Sequence, residues 1–385
     1  MMNWQDVLQS VNWPTTALII DFETYFDSKY SLSKMSTIEY LTDPRFELHG
    51  FGIFEMHQPF AAVNANSQFI DADRISQWIN ILQTNYGKNL ERCTVVVKNA
   101  MFDITLMQVH FGIVPLYIID IDNLLRYYDA RMSHKMKDVA PACGLQPKGD
   151  TKQFLGKHTA EIDIAAMVEY CRNDIEIEVE LFRKFLPLLT NPELEIPLQR
   201  HTLKMYLEPR LTLDYAKAKE LIEQMQAELD AAVEATGHTA EDISGDISFA
   251  RIIQEALGKE LLPVKPGEPT KNMIPITGPG KIPALAQNDD GMKYLLQHKN
   301  PEVRQLAIAK QAISSWPNHI KRIKSMVAQA KASGGKLRIP LYYYGGHTGR
   351  WSGTQGINPQ NFGGRGRMRA LHPLIGQIRE LIITE

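Results

Sequence analysis

The stretch Ala17-Leu-Ile-Ile-Asp21-Phe-Glu23-Thr24 limits what this chain can fold into more than any other segment. An apolar run that ends in an acid is the mark of a buried strand delivering a carboxylate at its tip. Side chains two apart on a strand point the same way, so Asp21 and Glu23 share one face. Further strands are expected at 46–54, 59–63, 94–100 and 116–120. Between them, Ile75, Trp78, Ile79 and Leu82 mark one helix and residues 102–111 another. Strands alternating with helices, with acids at strand ends, indicate an α/β domain.

A long helix is expected over 161–186, with Met167, Cys171, Ile175, Val179 and Phe182 as its buried stripe. Asn191-Pro-Glu-Leu194 breaks that pattern and sets a boundary near 190. Residues 215–235 form a second amphipathic helix, and the Pro- and Gly-rich stretch 263–290 reads as a loop. Helices resume at 301–315 and 318–332, separated at Pro317. Apolar runs and glycine clusters after 338 read as strands and loops, which divides the chain into 1–190, 191–337 and 338–385.

A hydrophobic content of 44% with 22% charged residues excludes a disordered chain or a fibre. Cys93, Cys143 and Cys171 lie far apart with no pair at zinc-ligand spacing, so a reduced, cytoplasmic setting is expected (host cytoplasm if the protein is viral). No leader and no run of apolar residues long enough for a membrane span is visible. Charge is unevenly divided. Residues 301–385 hold 13 Lys and Arg against 3 Glu, on a chain whose net charge is −2. A basic end on an acidic body suits a polyanion partner; a lysine-rich solvated surface is the equal alternative at this level.

Three further elements carry chemistry. Asn99-Ala-Met-Phe-Asp103 runs from a strand end into a helix, and Tyr170-Cys-Arg-Asn-Asp174 places a tyrosine and an aspartate on one helix face. Each has an ordinary reading by itself: a solvated turn for Asp21 and Glu23, a first-turn acid for Asp103, a surface pair for Tyr170 and Asp174. Together the four acids would repel strongly if gathered, and divalent cations would relieve that. Oxygen ligands without His or Cys favour Mg²⁺ or Mn²⁺. Two such ions about 4 Å apart clamp the attacking and leaving oxygens of a phosphodiester displacement. Tyr170 is placed to orient the attacking water.

Asp-Phe-Glu-Thr, Lys-Asn-Ala-Met-Phe-Asp and Tyr-Cys-Arg-Asn-Asp, in this order, resemble the three motifs of the proofreading DEDD nucleases in their tyrosine form. The resemblance implies a ribonuclease-H-like fold and removal of nucleotides from a DNA 3′ end. It implies Asp21, Glu23, Asp103 and Asp174 as metal ligands and Tyr170 as the water-orienting residue. It further implies that Asn99 supports the substrate strand and Thr24 contacts the terminal nucleotide.

Residues 342–361 contain Thr348-Gly-Arg350-Trp-Ser352 and Asn358-Pro-Gln360-Asn361, and resemble the T-G-R motif of A-family DNA polymerases, related to bacterial polymerase I. There Arg350, Asn358 and Gln360 would read the minor groove of a primer–template duplex, checking pair geometry rather than sequence. Lys321, Arg322, Lys324 and Lys331 fall where a helical thumb grips DNA phosphates. The order of parts resembles bacteriophage-type polymerases: an exonuclease domain over 1–190, a mostly helical thumb-like region over 191–337, and the start of an α+β palm over 338–385.

Within 338–385 the only acids are Glu380 and Glu385, so palm catalytic acids are missing from these residues. The expectation is therefore a Mg²⁺-dependent 3′–5′ DNA exonuclease whose polymerase activity needs a second, C-terminal chain carrying fingers and palm. The other readings are a non-catalytic DNA-binding assembly subunit, with palm strands near 338–345 and 379–384 left without neighbours, and a ribonuclease acting on RNA ends.

Overall fold

The structure is a computed structural model that describes residues 2–57, 67–362 and 373–384. It divides into two compact units, the first of residues 1–212, 328–361 and 384–385 and the second of residues 213–327 and 362–383.

The first unit is built on a five-stranded sheet: β1 (Ala17–Thr24), β2 (Leu48–Met56), β3 (Gln68–Asp71), β4 (Thr94–Val97) and β5 (Ile118–Asp120). Its order is β3-β2-β1-β4-β5. The first three strands form an antiparallel meander, and β4 and β5 run parallel to β1. Parallel neighbours need crossovers, and helices supply them. The unit's helices are α1 (Trp4–Ser10), α2 (Thr37–Thr42), α3 (Ile75–Tyr86), α4 (Ala100–Phe111), α5 (Ile121–Tyr128), α6 (Met136–Ala142), α7 (Ile164–Phe185) and α8 (Pro192–Leu207). This is the ribonuclease-H-like arrangement. The strand expected at 59–63 lies outside the described residues. In β3 only Phe69 and Ile70 are apolar, too short a signal to announce a strand.

Each face of the sheet buries its own layer. Leu18, Ile20 and Phe22 pack with Phe51, Val95 and Val97 against α3 and α4 residues such as Ile79, Leu82 and Leu106. Ala17 and Ile19 pack with Phe54, Val96 and Ile119 against α5 and α7 residues including Leu124, Ile175, Val179 and Phe182. Each Val, Leu, Ile or Phe among them contributes about 1.5–3 kcal/mol by leaving water. The stripe expected on the long helix is thus the one that covers the sheet.

Residues 336–361 also pack within this unit. A short strand pair joins Leu341–Tyr342 to Ser352–Gly353. Tyr343 is buried with its hydroxyl on the Glu195 carboxylate. Trp351 Nε1 donates to Thr202 Oγ1 at 2.8 Å, and Arg338 donates to the Tyr206 carbonyl at 2.9 Å. The expectation that strands near 338–345 lack neighbours is therefore wrong: aromatic and polar side chains seat this segment on α8. In the second unit, Leu381 is likewise buried and its carbonyl accepts from the Asp214 amide at 2.9 Å.

The second unit is mostly helical, with α9 (Tyr215–Glu234), α10 (Ala240–Ser244), α11 (Asp246–Leu257), α12 (Ile274–Thr277), α13 (Asp290–Leu296), the greater part of α14 (Pro301–Ala332) and α15 (Pro373–Gln377). Phe249, Ile253, Leu262, Met292, Leu295, Val303 and Leu306 form its core. The stretch 263–290 is not loop throughout, since Val264–Pro266 and Lys281–Pro283 pair antiparallel around α12. The expected break at Pro317 is also corrected, because α14 runs through it without interruption. Proline inside a helix costs about 3 kcal/mol. Buried Trp316, Ile320, Ile323 and Met326 on either side offset that cost by packing.

Candidate active site

Strand parity decides where the first two acids emerge. Leu18, Ile20 and Phe22 point into one core layer and Ala17 and Ile19 into the other. Asp21 and Glu23 continue the odd-numbered row, so they appear on the face that α7 covers. Asp21 lies opposite Gly52 of β2. A Cβ at Gly52 would come within 2.8 Å of Ile175 Cγ1, so glycine there lets α7 settle onto the sheet. That close approach brings Asp174, the residue before Ile175, beside Asp21. One carboxylate oxygen each from Asp21, Glu23 and Asp174 lies within 4.8 Å of the others.

Asp103 joins from the opposite side of β1. Asn99 is the N-cap of α4, and Asp120 at the end of β5 accepts from the Ala100 amide at 3.2 Å and the Asp122 amide at 2.9 Å. This pins the first turn of α4 to the strand ends. Asp103 is buried, and its Oδ1 accepts from the Phe22 amide at 3.5 Å. It does not belong to the three-acid group within 4.8 Å. Its electrostatic neighbour is Asp21, whose charge joins burial in raising its pKa well above the usual carboxylate range.

The nest is short of positive charge. At 4.8 Å two carboxylates repel by about 3–4 kcal/mol at the effective dielectric of a protein site. Burial first, and then Asp174, push Asp21 up to about 7, while Lys148 and Lys98 pull it down. Burial and the Asp21 charge raise Glu23 well above its ordinary value. Asp174 is raised by burial although Lys148 opposes the shift. Lys148 Nζ donates to Asp174 Oδ2, whereas Asp174 Oδ1 is buried with no hydrogen-bond partner. Glu178, one turn further along α7, is fully buried with both oxygens unpartnered. Oxygen-only donors, crowded and unsatisfied, fit a hard divalent cation.

Tyr170 is buried beside these acids. Lys148 Nζ lies 4.8 Å from its ring centroid, and Phe154 meets it edge-on at 5.4 Å. Burial, then the charges of Glu23, Asp174 and Asp21, raise its pKa, so it remains a neutral phenol. A phenol in this position donates a hydrogen bond and does not serve as a base. Thr24 follows a register shift at the end of β1, and its Oγ1 lies 2.7 Å from the Tyr40 hydroxyl. The Asn99 side chain makes no capping bond to α4.

The residues expected to touch DNA outside the nest are more dispersed. Lys321, Lys324 and Lys331 are exposed on α14 and Arg322 is half-buried there. None of these four forms an ion pair among the described residues. Arg350 is exposed, with Nε donating to Thr348 Oγ1 at 2.9 Å, and Asn358 Oδ1 accepts from the Gln360 amide at 3.2 Å.

Sequence reasoning missed Lys148, Glu178, Lys98 and Asp120. Glu178 stands four residues after Asp174, a spacing that signals a shared helix face. Lys98 and Asp120 sit at strand ends, the position that marked the other acids. Lys148 comes from a loop and carries no local signal.

Asp21 and Glu23 at the end of β1 and Asp174 on α7 thus form a crowded, oxygen-only carboxylate group of the kind that suits a hard divalent cation. Residues 65–190, which include Asp103, Tyr170 and Asp174, match the family model of a 3′-5′ exonuclease of the DNA polymerase A type. Over those residues the chain is thus similar to a 3′-5′ exonuclease domain of the DNA polymerase A type. No curated protein matches the chain. Among solved structures, the polymerase domain of Pol1 from M. smegmatis, in complex with DNA primer-template and dNTP, superposes with a TM-score of 0.58 at 15% identity. The match covers 98% of this chain and 56% of that one, so the chain spans little more than half its length. RNase D from Trypanosoma brucei in complex with RNA gives a TM-score of 0.37 at 10% identity, covering 53% of this chain and 67% of that one. The catalytic core of RRP6 from the same organism gives 0.37 at 15% identity, covering 65% and 61%.

Proposed function

We propose that the protein is a Mg²⁺- or Mn²⁺-dependent 3′–5′ exodeoxyribonuclease that proofreads for an A-family replicative DNA polymerase of bacteriophage type. The observation that carries this reading is the convergence of Asp21, Glu23 and Asp174 oxygens within 4.8 Å, in a chain similar to a 3′-5′ exonuclease domain over residues 65–190. These three acids together with Asp103 would hold a pair of cations. Bound divalent ions would supply the positive charge that lets a phosphodiester accept a nucleophile.

The chain's own residues do the rest. The Tyr170 hydroxyl orients the water whose oxygen attacks the terminal phosphorus. The bond from phosphorus to the 3′ oxygen of the penultimate nucleotide breaks, that oxygen takes a proton, and a nucleoside 5′-monophosphate leaves. Thr24 and Asn99 flank the acids at the ends of β1 and β4 and contact the terminal nucleotide and its strand. Burial of Asp103 and Asp174 keeps bulk water from solvating the charges that must act on the phosphate.

On the same reading, residues 1–190 form the exonuclease domain, 191–337 a thumb-like region and 338–385 the start of a palm. Lys321, Arg322, Lys324 and Lys331 bind duplex phosphates, and Arg350, Asn358 and Gln360 read the minor groove near the primer end. DNA synthesis then requires catalytic palm acids from outside these residues, for instance on a C-terminal polymerase chain. The deciding experiment incubates the protein and Mg²⁺ with a 3′-labelled single-stranded deoxyoligonucleotide. Release of labelled mononucleotide is expected. An intact label, or release only from the matching ribo-oligonucleotide, would overturn the proposal.

A further inference from the structure

The carboxylate nest already contains a cation of its own. Lys148 Nζ sits on Asp174 Oδ2, an oxygen of a carboxylate in the three-acid group, and its charge is felt by Asp21 and Glu23 as well. The contrast with Lys98 is instructive. Lys98 is bonded to the Asp122 carboxylate and to the His134 carbonyl at 2.9 Å, partners outside the three-acid group. Among the described residues, the only hydrogen-bond acceptor of Lys148 Nζ is Asp174.

The loop that carries Lys148 is anchored on both sides of it. Asn173 Nδ2 donates to the Pro147 carbonyl at 3.0 Å, which ties the loop to α7 beside Asp174. A Cβ on Gly149 would stand 2.8 Å from the Tyr170 ring, so the backbone lies directly against that side chain. The Lys148 backbone is thus held, while its side chain reaches the acids through a stem of rotatable bonds, the ammonium 4.8 Å from the Tyr170 ring centroid. Its side chain is 23% exposed, whereas the Asp174 side chain is wholly buried. The ammonium therefore has a way out toward solvent and the carboxylate has none. A compact point charge on a flexible stem suits such a movement better than a rigid guanidinium fork.

We infer that Lys148 is a displaceable counter-ion: it occupies Asp174 Oδ2 while the nest is free of metal, and it must leave that oxygen before a divalent cation can bind there. An ammonium and a dication held on one carboxylate repel each other strongly at ligand distances, so each weakens the other's hold. Lys148 consequently holds the acids together in the empty site and raises the metal concentration at which the site fills. This inference rests on the metal-dependent nuclease reading and assigns that site a built-in competitor.

The test measures Mn²⁺ binding to the full chain by calorimetry without DNA, for the unaltered protein, Lys148→Met, Lys148→Arg and Asp174→Asn. Lys148→Met is expected to bind Mn²⁺ about tenfold more tightly or better, and Lys148→Arg to stay near the unaltered protein. Equal or weaker binding by Lys148→Met would overturn the inference, since a lysine that merely organises the site would weaken metal binding when removed. If Lys148→Met does not fold, acylation of Lys148 in the unaltered protein is followed by mass spectrometry. The side chain is expected to react slowly in EDTA and several-fold faster with saturating Mn²⁺; an unchanged rate overturns the inference. Mn²⁺ binding that Asp174→Asn does not reduce would instead refute the metal site itself, and with it the nuclease reading.

Discussion

Glu178 stands one helical turn beyond Asp174 on α7, fully buried, and neither of its carboxylate oxygens has a hydrogen-bond partner. Burial, followed by the charges of Asp21, Asp103 and Asp174, raises its pKa well above the ordinary value. Asp21 behaves in the same way, moving from 3.8 to about 7. The folded protein therefore holds these protons more tightly than the unfolded chain does. Their contribution to stability is fullest below the unfolded pKa values and is lost as pH rises through the folded ones. For Asp21 that window runs from its ordinary 3.8 up to about 7. Urea denaturation in EDTA is expected to show lower stability at about pH 8 than at about pH 6, with Glu178→Gln flattening the difference. A metal-free stability that rises over this interval would contradict the assignment.

Asp21→Ala removes a proposed ligand and one charge from the crowded nest. Cleavage of single-stranded DNA is expected to fall by about 10³-fold or more, with affinity for DNA little changed. Binding measured by fluorescence anisotropy in Ca²⁺, alongside single-turnover cleavage in Mg²⁺, separates the two effects. Parallel loss of both would place Asp21 in DNA binding and not in chemistry.

Tyr170→Phe keeps the ring that packs against Phe154 and Gly149 and deletes only the hydroxyl. Single-turnover cleavage is expected to slow by about 10–100-fold while Mn²⁺ affinity stays unchanged. A change in metal affinity without a change in rate would mean that the hydroxyl serves the acids and not the water.

Tyr343→Phe tests how the segment after residue 338 is seated. It strips the Glu195 carboxylate, itself buried, of the hydroxyl it accepts from. Leaving such a group unpaired costs about 1–3 kcal/mol, which a urea melt resolves. No loss of stability would mean that water satisfies Glu195 equally well.

Lys321→Ala with Lys324→Ala tests the proposed duplex grip. Both side chains are exposed on α14. Affinity for primer–template DNA is expected to weaken without regard to sequence. The slope of log K against log salt should fall by about 0.9 for each lysine that neutralises a phosphate. An unchanged slope would remove them from the interface.

What the sequence determined is local. The apolar run before Asp21, the four-residue spacing of Tyr170 and Asp174, and the passage from Val97 into α4 each follow from strand and helix periodicity. Those patterns were enough to select the four acids and to set the strand and helix types around them. The tertiary structure decided which acids meet. Asp21, Glu23 and Asp174 gather because Gly52 admits Ile175 against the sheet, while Asp103 stands outside their 4.8 Å group. It also brought Lys148 into the nest from a loop, and it carried α14 straight through Pro317. Periodicity acts over a few residues and reports each segment's preferences. Charge, burial and close packing act through space between residues far apart in the chain, and only the folded arrangement can decide them.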